Sequence, residues 1–164
     1  MKKGKKLRIF IDGAARGNPG QGACAAVFFD AAGTILCEEG KYLGRCTDKF
    51  AEYNGLRLAL AAAARLGGQE LEIFSDSGLL VKQFSGACGI KGAGLAALMP
   101  GISEPCERFR KISFSQVPGG KNREAQRLVS RILDNAGHAS PALDESLAAE
   151  NAAGVKKTPR KTLA

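Results

Sequence analysis

The chain has 164 residues, which allows one domain with a hydrophobic core and short tails but not two domains of ordinary size. Hydrophobic residues make up 45% of the sequence, and no apolar stretch approaches the roughly eighteen residues of a membrane span, so the composition excludes a membrane-spanning helix. The net charge of +8 makes nucleic acid the expected class of partner, with a basic protein that binds no polyanion as the alternative.

The cysteines and the first residues indicate the compartment. The five cysteines are odd in number and form no Cys-x-x-Cys pair, and the chain has one histidine, which argues against a disulfide framework and against a zinc site. Arg8 and Asp12 bracket the short apolar run near the start, and no small-residue cleavage site follows it, so we expect no signal peptide. We therefore expect a cytoplasmic protein, and a monomer, since nothing indicates an obligate protein partner.

The first third of the chain predicts three antiparallel strands. Residues 7–11 are apolar almost without polar alternation, which is typical of a strand buried on both faces. Residues 22–30 and 34–44 are rich in β-forming residues, and Gly33 between them predicts a hairpin turn.

The rest of the chain alternates between helices and strands. Residues 48–66 predict a long helix that Thr47 or Asp48 caps and that Gly67 ends. The other predicted elements are a strand at 70–77, a helix at 77–84, a strand at 112–118, and a helix at 122–136 with Leu128, Ile132 and Leu133 on its apolar side. Between 87 and 111 the sequence predicts a helix near Leu95–Met99 and another after Pro105, separated by Pro100 and Gly101.

This order of elements, β-β-β-α-β-α-(α)-β-α, predicts an α/β fold with a mixed five-stranded sheet and helices on both faces. The predicted domain spans residues 7–136. A basic tail of residues 1–6 precedes it, and a disordered basic tail of residues 137–164 follows it. In open α/β sheets, sites form beyond the carboxyl ends of the strands, so functional residues are expected there.

Acidic residues occur where this fold would place a site. Asp12 ends the first predicted strand and Asp76 the fourth, so the two acids meet if these strands are parallel neighbours, although each alone could be a turn or capping aspartate. Glu52 begins the core-facing stripe of the long helix, where burial of an unpaired charge is costly; the alternative is an acid that the helix dipole favours. A cluster of oxygen ligands suits hard ions such as Mg²⁺ or Mn²⁺.

Four segments together identify a family. "IDGAARGNPGQG", "TDKFAEYNGLRLAL", "IFSDSGLLVKQFSG" and "VPGGKNREAQRL" occur in the order and at about the spacing of the type-one ribonuclease H domain, and they resemble the branch without a separate hybrid-binding module. The resemblance covers roughly residues 7–136. It implies the ribonuclease H-like fold and an endonuclease that hydrolyses the RNA strand of RNA/DNA hybrids, with two Mg²⁺ or Mn²⁺ ions bound by an Asp-Glu-Asp-Asp set.

The resemblance also assigns residues to roles. Asp12, Glu52 and Asp76 would be the catalytic acids and metal ligands. The glycine-rich backbone after Asp12 would let a nucleic-acid strand approach the metals closely. The residues expected to contact nucleic acid, whether hybrid or double-stranded RNA, are Gly13, Gly17, Asn18, Gly20, Thr47, Ser77, Gln83 and Asn122.

The sequence departs from the family pattern at several positions, including Asp48 and Lys49, where the family often has asparagines. Gln126 stands where the fourth acid belongs, and its neutral amide would bind a metal only weakly. Glu124 cannot replace it, since two residues along a helix turn the side chain by about 200°. The loop "VPGGK" lacks the family's histidine, and His138 is expected in the tail. The chain has no tryptophan, so a DNA-gripping element is either absent or built from Lys91, Arg108, Arg110 and Lys111, which could equally form a solvated charged face.

Three functions are consistent with the sequence. The first is a hybrid-cleaving ribonuclease weakened by Gln126; the second is a ribonuclease H-like module that binds nucleic acid without cutting it; the third is a structural domain with incidental charge. Three converging acids without metals would repel one another. Their retention therefore favours the enzyme.

Overall fold

The structure, a computed structural model, describes residues 5–85 and 100–137 and is built on a five-stranded sheet. The strands are β1 (Lys5–Arg16), β2 (Gly20–Phe29), β3 (Ile35–Cys46), β4 (Gly68–Ser75) and β5 (Lys111–Gln116), in the spatial order β3-β2-β1-β4-β5. β1, β2 and β3 pair in antiparallel fashion, whereas β4 is parallel to both β1 and β5. The predicted mixed sheet, with β1 and β4 as parallel neighbours, is confirmed.

Four helices and one 3₁₀ turn connect or flank the strands in the described residues. They are α1 (Asp48–Arg65), α2 (Gly78–Phe84), α3 (Pro100–Cys106), the turn Gly119–Lys121 and α4 (Arg123–Gly137). α1 begins where it does because Thr47 Oγ1 accepts a hydrogen bond from the Phe50 amide at 3.1 Å. Ser77 caps α2 in the same way through the Leu80 amide, at 3.3 Å.

Helices cover both faces of the sheet. α1 packs on one face, where Leu7, Ile9 and Ile11 of β1 form part of the main core. α4 packs on the other face over β1, β2 and β3. The apolar residues that α4 buries against the sheet include Leu128, Val129, Leu133 and Ala136, with Ile132 partly buried. Burial of apolar side chains stabilises the packing of helices on both faces of the sheet. This packing fixes the positions of the strand ends relative to the helices.

α1 lies unusually close to β1 at two glycines. A Cβ atom on Gly13 would overlap the backbone carbonyl of Ala51, and one on Gly55 would lie 2.8 Å from the carbonyl oxygen of Asp12. Both positions therefore require glycine so that the helix and strand backbones can meet. Since Glu52 follows Ala51, this contact brings Glu52 to the strand position that carries Asp12.

The structure corrects three expectations about element boundaries. β1 does not end at Asp12, because Asp12 pairs with Ala25 of β2 and the antiparallel ladder continues to Arg16. The pairing of β1 with β4 does end at Phe10, so Asp12 lies just beyond the parallel part of the sheet. Lys5 and the following lysine belong to β1, so the predicted tail of residues 1–6 overlaps the domain.

The region around Pro100 also differs from the prediction. Pro100 is the first residue of α3, a position that suits proline because the first residues of a helix need no intrahelical amide donor. The helix expected after Pro105 is wrong, since α3 ends at Cys106 and turns follow it. The helix predicted near residues 95–99, and the tail of residues 138–164, lie outside the described residues. No helix within 5–85 and 100–137 has the length and hydropathy to cross a membrane.

Replacing Gly13 by alanine should destabilise the fold, because the added methyl group forces α1 away from β1. We expect Gly13→Ala to lower the free energy of unfolding by about 1–3 kcal/mol, measured by chemical denaturation. Gly120→Ala is the matched control, since a Cβ there meets no atom within 4 Å. Equal stability of the two variants would show that the close approach is not needed.

Candidate active site

Three carboxylates from separate parts of the chain meet just beyond the end of the parallel pairing between β1 and β4. Asp12 comes from β1, Glu52 from α1, and Asp76 directly follows β4. Burial above all raises the pKa of Asp12 from 3.8 to about 7, and the neighbouring charges of Asp76, Glu52 and Asp48 raise it further, while the Gly13 amide lowers it by a hydrogen bond. The three acids thus form one electrostatic cluster.

Glu52 shares this environment. Burial raises its pKa, and the charges of Asp76 and Asp48 act in the same direction, whereas a hydrogen bond from the Ser77 side chain and the charge of Lys49 lower it. In the described part of the chain no salt bridge joins Asp12, Glu52 or Asp76 to a lysine or arginine. Their mutual repulsion is therefore relieved only in part by the protein itself.

The cluster can be compared with the needs of a divalent ion. Among residues 5–85 and 100–137, no three Asp, Glu, His or Cys side chains stand in the arrangement of a ready-made metal site. The chemistry of the donors nevertheless fits a hard cation, because they are all carboxylate oxygens, they are partly buried, and their ionised forms are mutually destabilising. A bound cation would offset the repulsion among the three carboxylates.

Gln126 of α4 contacts this cluster through its amide nitrogen. Nε2 lies 2.9 Å from Oδ2 of Asp76 and 3.0 Å from the carbonyl oxygen of Gly119. Because a carbonyl oxygen can only accept a hydrogen bond, this pair of contacts fixes the nitrogen towards Asp76. Gln126, predicted as a weak metal ligand, thus presents a donor to the acid and would have to turn its amide to offer oxygen to a metal.

Asn122 differs from its predicted role as a nucleic-acid contact. It is only 1% exposed, and its Nδ2 donates to the Ile11 carbonyl at 2.8 Å. It therefore joins the start of α4 to β1 next to Asp12, while its Oδ1 is buried without a hydrogen-bond partner. Since Gln126 follows four residues later on the same helix face, this anchor also positions Gln126 over Asp76.

The glycines of the β1–β2 segment divide into two groups. Gly13 and Gly20 are buried, and a Cβ on Gly20 would overlap the Arg16 carbonyl, so backbone packing explains them without any nucleic-acid strand. Gly17, with a φ of 91°, and Asn18 are exposed in the turn. Packing within the protein therefore accounts for Gly13 and Gly20, and close approach of a nucleic-acid strand to this backbone stays a prediction.

The remaining residues predicted to contact nucleic acid differ in their exposure and in their contacts within the protein. Thr47 is exposed beside the β1–β2 turn, Ser77 caps α2 and bonds Glu52, and Gln83 is half-buried on α2. Lys91 lies outside the described residues. Arg108, Arg110 and Lys111 are exposed, and the first two lie in the turns before β5, where Arg110 pairs with Glu70.

Asp48, predicted as an alternative to Thr47 for the cap of α1, has a different structural role. Its Oδ1 accepts a hydrogen bond from the Ala15 amide at 2.7 Å, and its own amide donates to Asn18 Oδ1 at 3.0 Å. These two bonds attach the β1–β2 turn to the start of α1. An acid at the start of a helix is compatible with capping and with dipole stabilisation, so its position in the sequence does not reveal this role.

Comparison with known proteins agrees with this geometry. Residues 10–132 match the family described as reverse transcriptase-like. The chain is 36% identical over 138 residues to the "Bifunctional protein Rv2228c" of Mycobacterium tuberculosis, an alignment that covers 84% of this chain but 38% of that protein. It is also 36% identical over 134 residues to the "Ribonuclease HI" of Halobacterium salinarum, with 82% of this chain and 67% of the relative covered.

Solved structures show the same fold. The RNase H1 of Halobacterium salinarum superposes with a TM-score of 0.76 at 35% identity, covering 79% of this chain and 98% of the other. LC11-RNase H1, solved in complex with an RNA/DNA hybrid, gives a TM-score of 0.75 at 33% identity with the same coverage. Since the family match covers residues 10–132, including Asp12, Glu52, Asp76 and Gln126, and the relatives named ribonuclease HI and RNase H1 align over about four fifths of the chain, the chain belongs to the type-one ribonuclease H family.

Proposed function

We propose that this protein is a metal-dependent endoribonuclease that hydrolyses the RNA strand of RNA/DNA hybrids. The observation that carries the proposal is the cluster of Asp12, Glu52 and Asp76, in which burial and mutual repulsion raise the pKa of Asp12 to about 7. The relative named ribonuclease HI, and the hybrid bound to LC11-RNase H1, support the choice of substrate. The chain spans less than two fifths of the length of its mycobacterial relatives, so the proposal concerns this domain.

The protein's own groups explain how such a site would work. Asp12, Glu52 and Asp76 would hold divalent ions, Mg²⁺ or Mn²⁺, with two per site expected. Bound ions supply an activated water and neutralise charge on the phosphate. Ser77 orients Glu52, and Gln126 orients Asp76, so that their oxygens stay directed towards the site.

The proposal extends to partners and compartment. A net charge of +8 favours association with a nucleic-acid duplex, and we propose a monomer that needs no protein partner. Cys24, Cys37, Cys46 and Cys106 are free thiols, which agrees with a reducing, cytoplasmic location.

A binding module that does not cut is the second candidate, and one observation favours it. Gln126 contributes no negative charge, and its amide nitrogen donates a hydrogen bond to one of the carboxylate oxygens of Asp76. Both features reduce the affinity of the cluster for a second cation. The following experiments separate the two candidates.

Asp12→Asn should abolish cleavage and leave most of the binding to hybrid. The amide keeps the size of the side chain but removes the charge that would hold a metal. The measurement uses a hybrid labelled on its RNA strand, with Mg²⁺ or Mn²⁺, and wild type should give RNA fragments that end in 3′-hydroxyl. Undiminished cutting by the variant would exclude the proposed chemistry, and binding by wild type without cutting in either metal would establish the binding module.

Gln126→Asp should lower the metal concentration needed for half-maximal cleavage several-fold, because it adds a fourth carboxylate beside Asp76. Gln126→Ala is the control, since it breaks the contacts to Asp76 and Gly119 without adding charge. The metal dependence of the cleavage rate is compared for wild type and both variants. The same response from both variants would mean that loss of the amide contacts, and not the new charge, causes the effect.

The metal-free protein should lose stability as the pH rises. Because the pKa of Asp12 is about 7 in the folded protein and near 3.8 otherwise, the folded state binds the proton more tightly, so this contribution is present at low pH and lost as the pH approaches 7. Chemical denaturation in EDTA at several pH values measures the free energy of unfolding. Over this pH range it should fall by about 1–3 kcal/mol less for Asp12→Asn than for wild type. Glu104→Gln, at an exposed position on α3, is the control. Parallel pH profiles for wild type and Asp12→Asn would show that the Asp12 carboxylate carries no such penalty.

A further inference from the structure

A cluster of aromatic side chains lies on the face of the sheet that carries α4. Phe10 of β1 stacks on Phe74 of β4 with ring centroids 4.6 Å apart, and Phe29 of β2 meets the Phe10 ring edge-on at 5.4 Å. All three side chains are half-buried. Aromatic side chains on neighbouring central strands are the kind of platform on which proteins stack unpaired bases.

Phe10 and Phe29 form the floor of a pocket of about 200 Å³. Its walls are the 3₁₀ turn, through Gly120 and Lys121, and the first residues of α4, Arg123 and Glu124. A flat, partly exposed aromatic floor with a polar wall suits a planar ring that carries a charged group.

The charges around the pocket favour an anion. Lys121 and Arg123 are exposed, and neither has a salt-bridge partner among the described residues. Glu124, the acid in the wall, is paired with Arg127 at 3.6 Å. Arg8, at the same face, lies over the Phe74 ring at 5.1 Å and is paired with Glu72 at 3.3 Å, so its charge is already balanced and the pocket's free positive charge is that of Lys121 and Arg123.

The pocket adjoins the acid cluster. Phe10 and Asp12 lie on the same face of β1, because side chains alternate along a strand. The turn that forms the pocket wall is attached to the cluster by Gln126, which bonds both the Gly119 carbonyl and Asp76. A strand that passes the acids can therefore continue into the pocket.

We propose that this pocket binds an unpaired nucleotide of a single-stranded nucleic-acid segment, with its base against Phe10 and Phe29 and its phosphate at Lys121 and Arg123. The segment would be a stretch beyond the end of a duplex held at the acids. The binding uses none of the three carboxylates, so it does not depend on cleavage. An apolar peptide fits less well, since it would leave both cations without a counter-charge.

The test measures binding of the full chain in EDTA to a labelled single-stranded DNA of about 12 nucleotides by fluorescence anisotropy. Phe10→Leu keeps an apolar side chain but removes the ring, and it should weaken binding about fivefold or more. Phe29→Leu serves the same purpose if Phe10→Leu does not fold. Wild type should bind an abasic oligonucleotide of the same length more weakly than the intact one. The difference in affinity between the two oligonucleotides should be much smaller for the leucine variants.

The phosphate contacts are tested separately. The double variant Lys121→Ala/Arg123→Ala should weaken binding and reduce the slope of log Kd against log salt by about 1.4, two phosphate contacts at about 0.7 each. Arg65→Ala/Arg131→Ala removes the same charge from exposed positions elsewhere and should leave the slope unchanged. Wild-type affinity in both leucine variants, or equal behaviour of the two double variants, would overturn the proposal. Because no metal is present, failure of hybrid cleavage would leave these comparisons intact.

Discussion

The contact between the backbones of α1 and β1 is the constraint on which the site depends. Gly13 and Gly55 lack side chains where the helix crosses the strand, so the two backbones meet without an intervening layer of side chains. Glu52 can reach the neighbourhood of Asp12 only because of this close approach. The repulsion between the two acids is the electrostatic consequence of a packing arrangement, and the hydrophobic core under α1 provides the free energy that maintains it.

α4 provides the other half of the site, and it acts through amides instead of carboxylates. Asn122 fixes the start of the helix to β1, and Gln126 joins Asp76 to the turn that precedes the helix. An acid at position 126 would repel Asp76 in the absence of metal, whereas the amide stabilises it. The amide therefore holds Asp76 in place in the absence of metal without adding a charge of its own.

The same helix start separates two surfaces with different chemistry. On one side lie the acids, which attract cations; on the other lie Phe10, Phe29 and the cations Lys121 and Arg123, which suit a nucleotide. The turn Gly119–Lys121 contributes to both. A nucleic acid that reaches from one to the other would meet divalent ions at the first surface and aromatic rings at the second.

The sequence alone determined the α/β class, the mixed sheet and the family, because these follow from hydrophobic periodicity, glycine stops and four ordered motifs, whereas the parallel pairing of the strands before Asp12 and Asp76 was only a condition that the structure met. It did not determine what each polar or glycine residue contacts. Only the tertiary structure showed that Gly13 serves helix packing, that Asn122 is a buried anchor and that Gln126 is a donor to Asp76. Such roles depend on partners 38 to 111 residues away in the chain, and local patterns carry no information about contacts of that range.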